Sequence, residues 1–354
     1  MKAPFPYFGG KRAVASDVWR ALGDVEHYIE PFFGSGAVLL NRPHSPKLET
    51  VNDADGLLSN FWRAVRADPD GTAAAADWPV NEADLHARHL WLIGQRQSLT
   101  ERLMADPDFY DVKAAGWWVW GACAWIGSGW CEANGPWIAV DGVFTDSRQL
   151  PHLGDCGQGI NRQLPHLGGC GQGINRQLPH LGDCGHGINR QLLHLDDCGK
   201  GINRGKQRSE FIRQWFNELS NRLRDVRVAC GDWTRVLGKS VLRAAGGGTG
   251  VFLDPPYSHD MRNPKLYACD SDVARDVRQW CEANGNNPAL RIVLAGYEGE
   301  HNRLESLGWR VKAWKSLGGY GNQGNGRGAE NAHKERLWFS PYCLDCSAEQ
   351  LSLI

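Results

Sequence analysis

The chain has no run of about 18 apolar residues, so the sequence offers nothing to span a bilayer as a helix. It has little net charge. With 39 basic and 40 acidic side chains the formal balance is −1, which argues against a protein that coats nucleic acid without selectivity. A local basic groove is still allowed. The start, Met1-Lys2-Ala3-Pro4-Phe5-Pro6, lacks the apolar centre and cleavage site of a secretory leader, so the expected location is the cytoplasm. Cysteine is not scarce, but the count of 11 is odd and nothing suggests export, so a disulfide framework is not expected.

What is present falls into three stretches. The first reads as an α/β unit. His27–Ile29 is predicted as a short strand. Glu30-Pro31-Phe32-Phe33-Gly34-Ser35-Gly36 follows as a loop, then a helix-like Ala37–Leu40. Leu48–Val51 is a second strand ending at Asn52-Asp53, and Leu57–Val65 has helical periodicity. Strand, glycine loop, helix, strand and acid is the order of a nucleotide-binding βαβ unit. Leu85–Met104 is predicted helical, and Trp117–Ile126 is densely aromatic.

Between Arg148 and Asn203 a unit of 14 residues recurs, its four copies starting at Arg148, Arg162, Arg176 and Arg190. Each unit has several glycines and few apolar residues, so one unit cannot bury a core. Either the units stack as a small solenoid or they form a duplicated surface loop. The near-identity of the copies favours the loop. The pairs His152/Cys156, His166/Cys170, His180/Cys184 and His194/Cys198 lack the close cysteine pairs of zinc fingers, so no metal site is expected.

After the repeat the α/β pattern resumes. Phe211–Leu223 reads as a helix, Val226–Cys230 as a strand before Gly231-Asp232-Trp233, Val251–Leu253 as a strand and Asp272–Asn284 as a helix. Leu290–Ala295 is a further strand. Trp309–Trp314 and Arg336–Ser340 are expected to pair, with an antiparallel edge.

The chemistry concentrates at Asp254-Pro255-Pro256-Tyr257, after the apolar run Val251–Leu253. Each proline fixes its own φ, and Pro256 also restricts Pro255. A carboxylate, an aimed carbonyl and an aromatic face suit a planar heterocycle with an exocyclic amine. The same four residues also fit a strand followed by a proline turn. Gly34 and Gly36 let backbone approach a ligand closely. Glu30 at the strand end could match a positively charged ligand, and Asp53 stands where a carboxylate holds ribose hydroxyls. The loop has too few glycines for a dinucleotide fingerprint, and no hydride-handling histidine is evident, so S-adenosylmethionine suits it better than NAD.

At these residues the chain resembles the Dam-like (D12 class) DNA adenine-N6 methyltransferases. Pro6-Tyr7-Phe8-Gly9-Gly10-Lys11 is similar to their N-terminal cofactor motif, Glu30–Gly36 to their glycine loop, Asn52-Asp53 to their acidic strand end and Asp254–Tyr257 to their catalytic loop. Gly231-Asp232 is a weaker match to the site that contacts the cofactor's adenine. The resemblance covers roughly residues 1–65 and 210–340.

The resemblance implies an α/β, Rossmann-like class I S-adenosylmethionine-dependent methyltransferase sheet with an inserted target-recognition region. It implies a catalytic domain over 1–66 and 206–342, a target-recognition insert over 67–147, the repeat insert over 148–205 and a C-terminal tail over 343–354. The implied cofactor-binding residues are Tyr7, Gly10, Lys11, Glu30, Phe33, Gly34, Gly36, Asp53 and Asp232. Lys11 would neighbour the cofactor's carboxylate or order the loop beside it. The implied catalytic residues are Asp254, Pro255, Pro256 and Tyr257. Asp254 would accept a hydrogen bond from the target N6 amine, the Pro255 carbonyl would take the second hydrogen, and Tyr257 would stack on a flipped base.

Double-stranded DNA is the implied partner, and a monomer without membrane association is expected. Two regions are candidates for DNA contact: the Trp-rich segment, which otherwise reads as helical core, and the basic stretch Arg204–Arg243, which otherwise reads as a solvated face. Alternatives are N4-cytosine or RNA-adenine methylation, and an inactive DNA-binding protein on the same fold. No nuclease motif is recognisable, which favours a solitary enzyme. A restriction-modification partner would be encoded elsewhere.

Overall fold

The structure, a computed structural model, describes residues 1–7, 9–125, 129–131, 137–140, 143–146, 208–257, 273–314 and 333–344. The 14-residue repeats lie outside the described residues.

After a 3-10 turn at Lys11–Val14, the first helix is α1, Ala15–Leu22. It leads through Gly23 to strand β1, His27–Glu30, and β2 follows at Leu48–Asp53. Four helices come next: α2 at Gly56–Ala67, α3 at Pro69–Ala76, α4 at Glu82–Ala105 and α5 at Val112–Ala124. A hairpin, β3 at Trp137–Val140 and β4 at Val143–Asp146, was not foreseen from the sequence. Then come α6 at Arg208–Leu223, β5 at Val226–Cys230, the short α7 at Lys239–Leu242, β6 at Thr249–Leu253, α8 at Val273–Asn284, β7 at Leu290–Tyr297, β8 at Arg310–Ala313 and β9 at Glu335–Phe339.

Seven strands make one sheet in the order β5-β2-β1-β6-β7-β9-β8. The first five are parallel, and β9 runs antiparallel to both β7 and β8. The sequence alternation explains why both faces are covered. On β6, Val251 and Leu253 join one apolar cluster while Phe252 joins the other; on β7, Ile292 and Leu294 part from Val293 and Ala295 in the same way. The expected antiparallel edge pair is present. The expected helix at 37–40 is not. Only a 3-10 turn forms at Leu39–Asn41, with Arg42 at φ −57° and ψ 124°. Pro43 explains this, because it bars Arg42 from the helical region and leaves too few residues for a helix.

Each helix of the α2–α5 series starts on a side-chain cap. Asp55 accepts from Leu57 N, Asp68 from Gly71 N, Asn81 from Asp84 N and Asp111 from Ala114 N. The Asn60 side chain also bonds both backbone groups of Asp111, at 2.8 and 2.7 Å, which ties α2 to the start of α5. Helices α3, α4 and α5 fall inside the segment 67–147. Their buried residues Ala73, Leu92, Trp118 and Trp120 share one core with Phe61 of α2 and Phe216 of α6.

Candidate active site

Parallel β1, β2, β5 and β6 all point their carboxyl ends to one edge of the sheet, where ligands bind in open α/β folds. The loop after β1 is held there by backbone geometry. Gly34 and Gly36 adopt φ of 48° and 65°. A Cβ on Gly34 would lie 2.6 Å from the Tyr7 ring, and one on Gly36 would lie 2.7 Å from the Phe33 ring. Trp62 Nε1 donates to Gly34 O at 3.0 Å, so α2 also grips the loop.

Asp53, at the end of β2, is partly exposed, and its carboxyl closes on this loop. Oδ2 accepts from Gly34 N and Oδ1 from Asp55 N, both at 2.9 Å. Burial pushes its pKa up to about 6, against the pull of those N–H groups. Asn52 beside it donates from Nδ2 to Pro31 O and Gly231 O, joining the ends of three strands. Asp232 is exposed and caps the 3-10 turn at Trp233–Val236 by accepting from Thr234 N at 2.9 Å. The ring of Trp233 stacks on Phe32 at 6.0 Å.

Glu30 differs from expectation. It is buried, and the Tyr28 hydroxyl donates to its Oε2 at 2.9 Å. Burial, with help from Asp254, drives its pKa well above the usual carboxylate range, which favours the neutral acid. Glu30 therefore lies within the floor of the site rather than as an open carboxylate.

Asp254 follows β6. Its Oδ1 lies 2.9 Å from Lys11 Nζ, and Lys11 also donates to Gly9 O at 2.9 Å. Desolvation raises the Asp254 pKa, while Lys11 and the Tyr257 hydroxyl oppose the rise. Pro255 is buried and Pro256 half-buried. Tyr257 is 7% exposed. Its hydroxyl donates to Glu335 Oε2 at 2.7 Å and sits 3.5 Å from Asp254 Oδ1. The Tyr297 ring meets its ring at 4.4 Å, and Lys11 Nζ lies 5.2 Å from its centre. Tyr7 is exposed, Gly10 is exposed and Phe33 is buried.

The N-terminal motif, the loop after β1 and the loop after β6 thus converge: Tyr7 abuts Gly34 and Lys11 meets Asp254. Sequence reasoning missed Glu335, Tyr297 and Tyr28, and named Asn52 only as part of the strand-end motif. Tyr297 ends a parallel strand, so its position could have nominated it. Glu335, within Lys334-Glu335-Arg336, carries no such signal.

Most described tryptophans of the Trp-rich segment pack into the core, while Trp117 is only partly buried and Trp78 is 42% exposed. Trp62 and Trp120 are fully buried, and Trp118 and Trp125 nearly so; Trp62 and Trp118 pack with Phe5 and Phe61, and Trp125 stacks on His89. The basic stretch is divided. Arg222 is bound to Glu49 at 2.6 Å and Arg213 faces Asp70 at 3.6 Å, while Arg224, Arg227, Arg235, Lys239 and Arg243 are exposed. Arg204 and Lys206 lie outside the described residues. Among the described residues no cluster of His, Cys, Asp and Glu could hold a metal ion, and no helix is long and apolar enough to cross a membrane.

Five parallel strands continued by an antiparallel β9, with a glycine loop after β1 and acids at the ends of β2 and β6, define a Rossmann-like methyltransferase fold. Residues 7–89 match the family model of the D12 class N6 adenine-specific DNA methyltransferases, the family that the sequence motifs resemble. That stretch includes Lys11, the glycine loop and Asp53, and it supports DNA methyltransferase chemistry. A search of curated proteins finds no match.

Proposed function

We propose that the protein transfers a methyl group from S-adenosylmethionine to the N6 amine of an adenine in double-stranded DNA. The observation that carries this reading is the Asp254 carboxyl. It is held 2.9 Å from Lys11 and beside Tyr257, at the strand edge that also bears the glycine loop. The residues fit the cofactor: the positive-φ glycines let the Tyr7 and Phe33 rings close against the loop, and Asp53 keeps partial exposure for ribose hydroxyls. Tyr7, Gly10, Phe33, Gly34, Gly36, Asp53 and Asp232 would form its cradle, with Glu30 beneath. When bound, the cofactor supplies an electrophilic methyl group on a sulfonium.

The rest is done by the chain. Asp254 accepts a hydrogen bond from the target amine, which aims the nitrogen lone pair at the methyl group. The Pro255 carbonyl takes the second amine hydrogen. Lys11 keeps the Asp254 carboxyl ionised against its desolvation. Transfer needs no covalent enzyme intermediate, so the rate rests on alignment and on charge stabilisation at the amine. The base must leave the duplex at a cost of a few kcal/mol, which stacking on Tyr257 partly offsets. Because Tyr257 is 7% exposed, neighbouring side chains must part before a base reaches its ring. The reading places the enzyme in the cytoplasm as a monomer acting on DNA.

The test is methyl transfer from labelled cofactor to duplex DNA, with nucleoside analysis of the product. N6-methyladenine supports the reading, and N4-methylcytosine or transfer to RNA alone would replace it. Asp254→Ala should abolish transfer while cofactor affinity, measured by calorimetry, stays within about twofold, since this carboxylate serves the target amine. Retained adenine methylation in that variant would remove the assigned role.

A further inference from the structure

We infer that Glu335 is a positioning residue for the target base: its carboxyl fixes the Tyr257 ring and so aligns the loop that carries Asp254. The inference rests on the methyltransferase reading above.

Glu335 opens β9 and is itself held on two sides. It pairs in register with Tyr297 of β7, and its carbonyl accepts from Trp314 N at 3.1 Å. Its side chain is buried, at 6% exposure, although it carries an acid. An acid taken out of water without a purpose is a liability. Here Oε2 receives the Tyr257 hydroxyl at 2.7 Å, within the buried interior. Burial raises the Glu335 pKa first of all. Asp254 and Glu300 raise it further, while Lys11 and the Tyr257 hydroxyl pull it down.

Tyr257 needs such an anchor. It lies beyond the last residue of β6, so no ladder hydrogen bond fixes it. Tyr297 packs against its ring and the Lys11 ammonium lies near its face, and these contacts set the rotation of the ring about its own axis, whereas the bond to the hydroxyl pins the tip of the side chain and so fixes where the ring stands. The same hydroxyl stands 3.5 Å from Asp254 Oδ1. Glu335, Tyr257, Asp254 and Lys11 thus form one chain of contacts from the last strand of the sheet to the N-terminal motif. Loosening its Glu335 end frees the tip of Tyr257 and so disturbs the position of the stacking ring and of the acceptor carboxylate together. That is a fault of alignment, so it lowers turnover more than cofactor affinity.

Four proteins test this: wild type, Glu335→Leu, Tyr257→Phe and the double variant, with Glu335→Gln as the conservative control. For Glu335→Leu we expect kcat to fall roughly 10- to 100-fold, since it strands a buried hydroxyl and misaligns the ring. Cofactor affinity by calorimetry should change less than about twofold, because the hydrogen bonds of Glu335 go to Tyr257 and Trp314 and not to the glycine loop. Glu335→Gln keeps an acceptor and should recover most of the loss. The double variant should be no slower than the worse single one, the mark of two groups acting as a unit. Unchanged kcat in Glu335→Leu, failure of Gln to rescue, or losses that multiply would each overturn the inference. An inactive wild-type protein would remove the methyltransferase reading instead. The same four proteins then test the pair through urea midpoints: non-additive shifts keep the Glu335–Tyr257 coupling and additive shifts overturn it.

Discussion

Lys11 Nζ lies 2.9 Å from Asp254 Oδ1, joining the N-terminal motif to the loop after β6. Lys11 is 5% exposed at its side chain and Asp254 22%, so the pair is shielded on one side and partly wetted on the other. Removing the cation leaves an acid whose pKa is already raised by desolvation. Lys11→Met should therefore push the Asp254 carboxyl further up and move the acid limb of the kcat profile to higher pH. Breaking one side of a fully buried pair costs about 3–5 kcal/mol, and the partial wetting of Asp254 lowers that figure here. A kcat profile from pH 5 to 9 with an unmoved acid limb would refute this role for Lys11.

The glycine loop offers a second prediction. Gly34→Ala would place a Cβ 2.6 Å from the Tyr7 ring at φ 48°. The left-handed conformation alone costs a side chain about 1–2 kcal/mol, and each 1.4 kcal/mol is tenfold in affinity. Cofactor affinity should fall at least roughly tenfold, with Tyr7 displaced, whereas Gly94→Ala on α4, where an added Cβ meets nothing within 4 Å, should leave it unchanged. Calorimetric titration of both variants decides the matter.

His301 gives a pH prediction. It is fully buried against Trp338; among the described residues neither ring nitrogen has a hydrogen-bond partner, and Nε2 lies 3.9 Å from Glu300 Oε2. Burial, and secondarily Arg278, lowers its pKa to about 3. The unfolded chain binds this proton near pH 6.5, so the folded state loses stability as pH falls from there toward 3. The slope from one such group is at most roughly 1.4 kcal/mol per pH unit. His301→Leu should flatten that acid loss while changing stability little at pH 7.5. Urea unfolding at pH 7.5, 5.5 and 4.5 would show it, and parallel wild-type and variant curves would exclude it.

The repeat allows a test by deletion. The described core is built from elements before residue 132 and after residue 207. Removing two units of 14 residues should therefore leave the thermal midpoint and methyl transfer unchanged. Insoluble protein would show that the repeat supports the fold.

Much of this protein was determined by local sequence. Period-two alternation in β6 and β7, strand ends marked by Asp53 and Asp254, and the caps Asp55, Asp68, Asn81 and Asp111 are signals carried within a few residues, so the order and type of most elements follow from them, although α3 and the β3–β4 hairpin were not foreseen. The glycine loop was legible because only glycine tolerates positive φ beside the Tyr7 and Phe33 rings. The loss of the helix at 37–40 was legible too, through Pro43, had its hold on Arg42 been weighed.

Pairings across the chain were not legible. Whether a tryptophan meets DNA or core depends on what packs opposite, and here Phe5 and Phe61 pack against Trp118 of α5. Glu30 reads in sequence as an open carboxylate for a cationic ligand, and Glu335 as an ordinary acid. Only the fold buries one under Tyr28's hydroxyl and sets the other against Tyr257. Asp254 as a carboxylate at a strand end was given by its tetrapeptide. Its cation, Lys11, came from the tertiary structure, because the sheet order brings β1 beside β6 and folds the N-terminal motif across both.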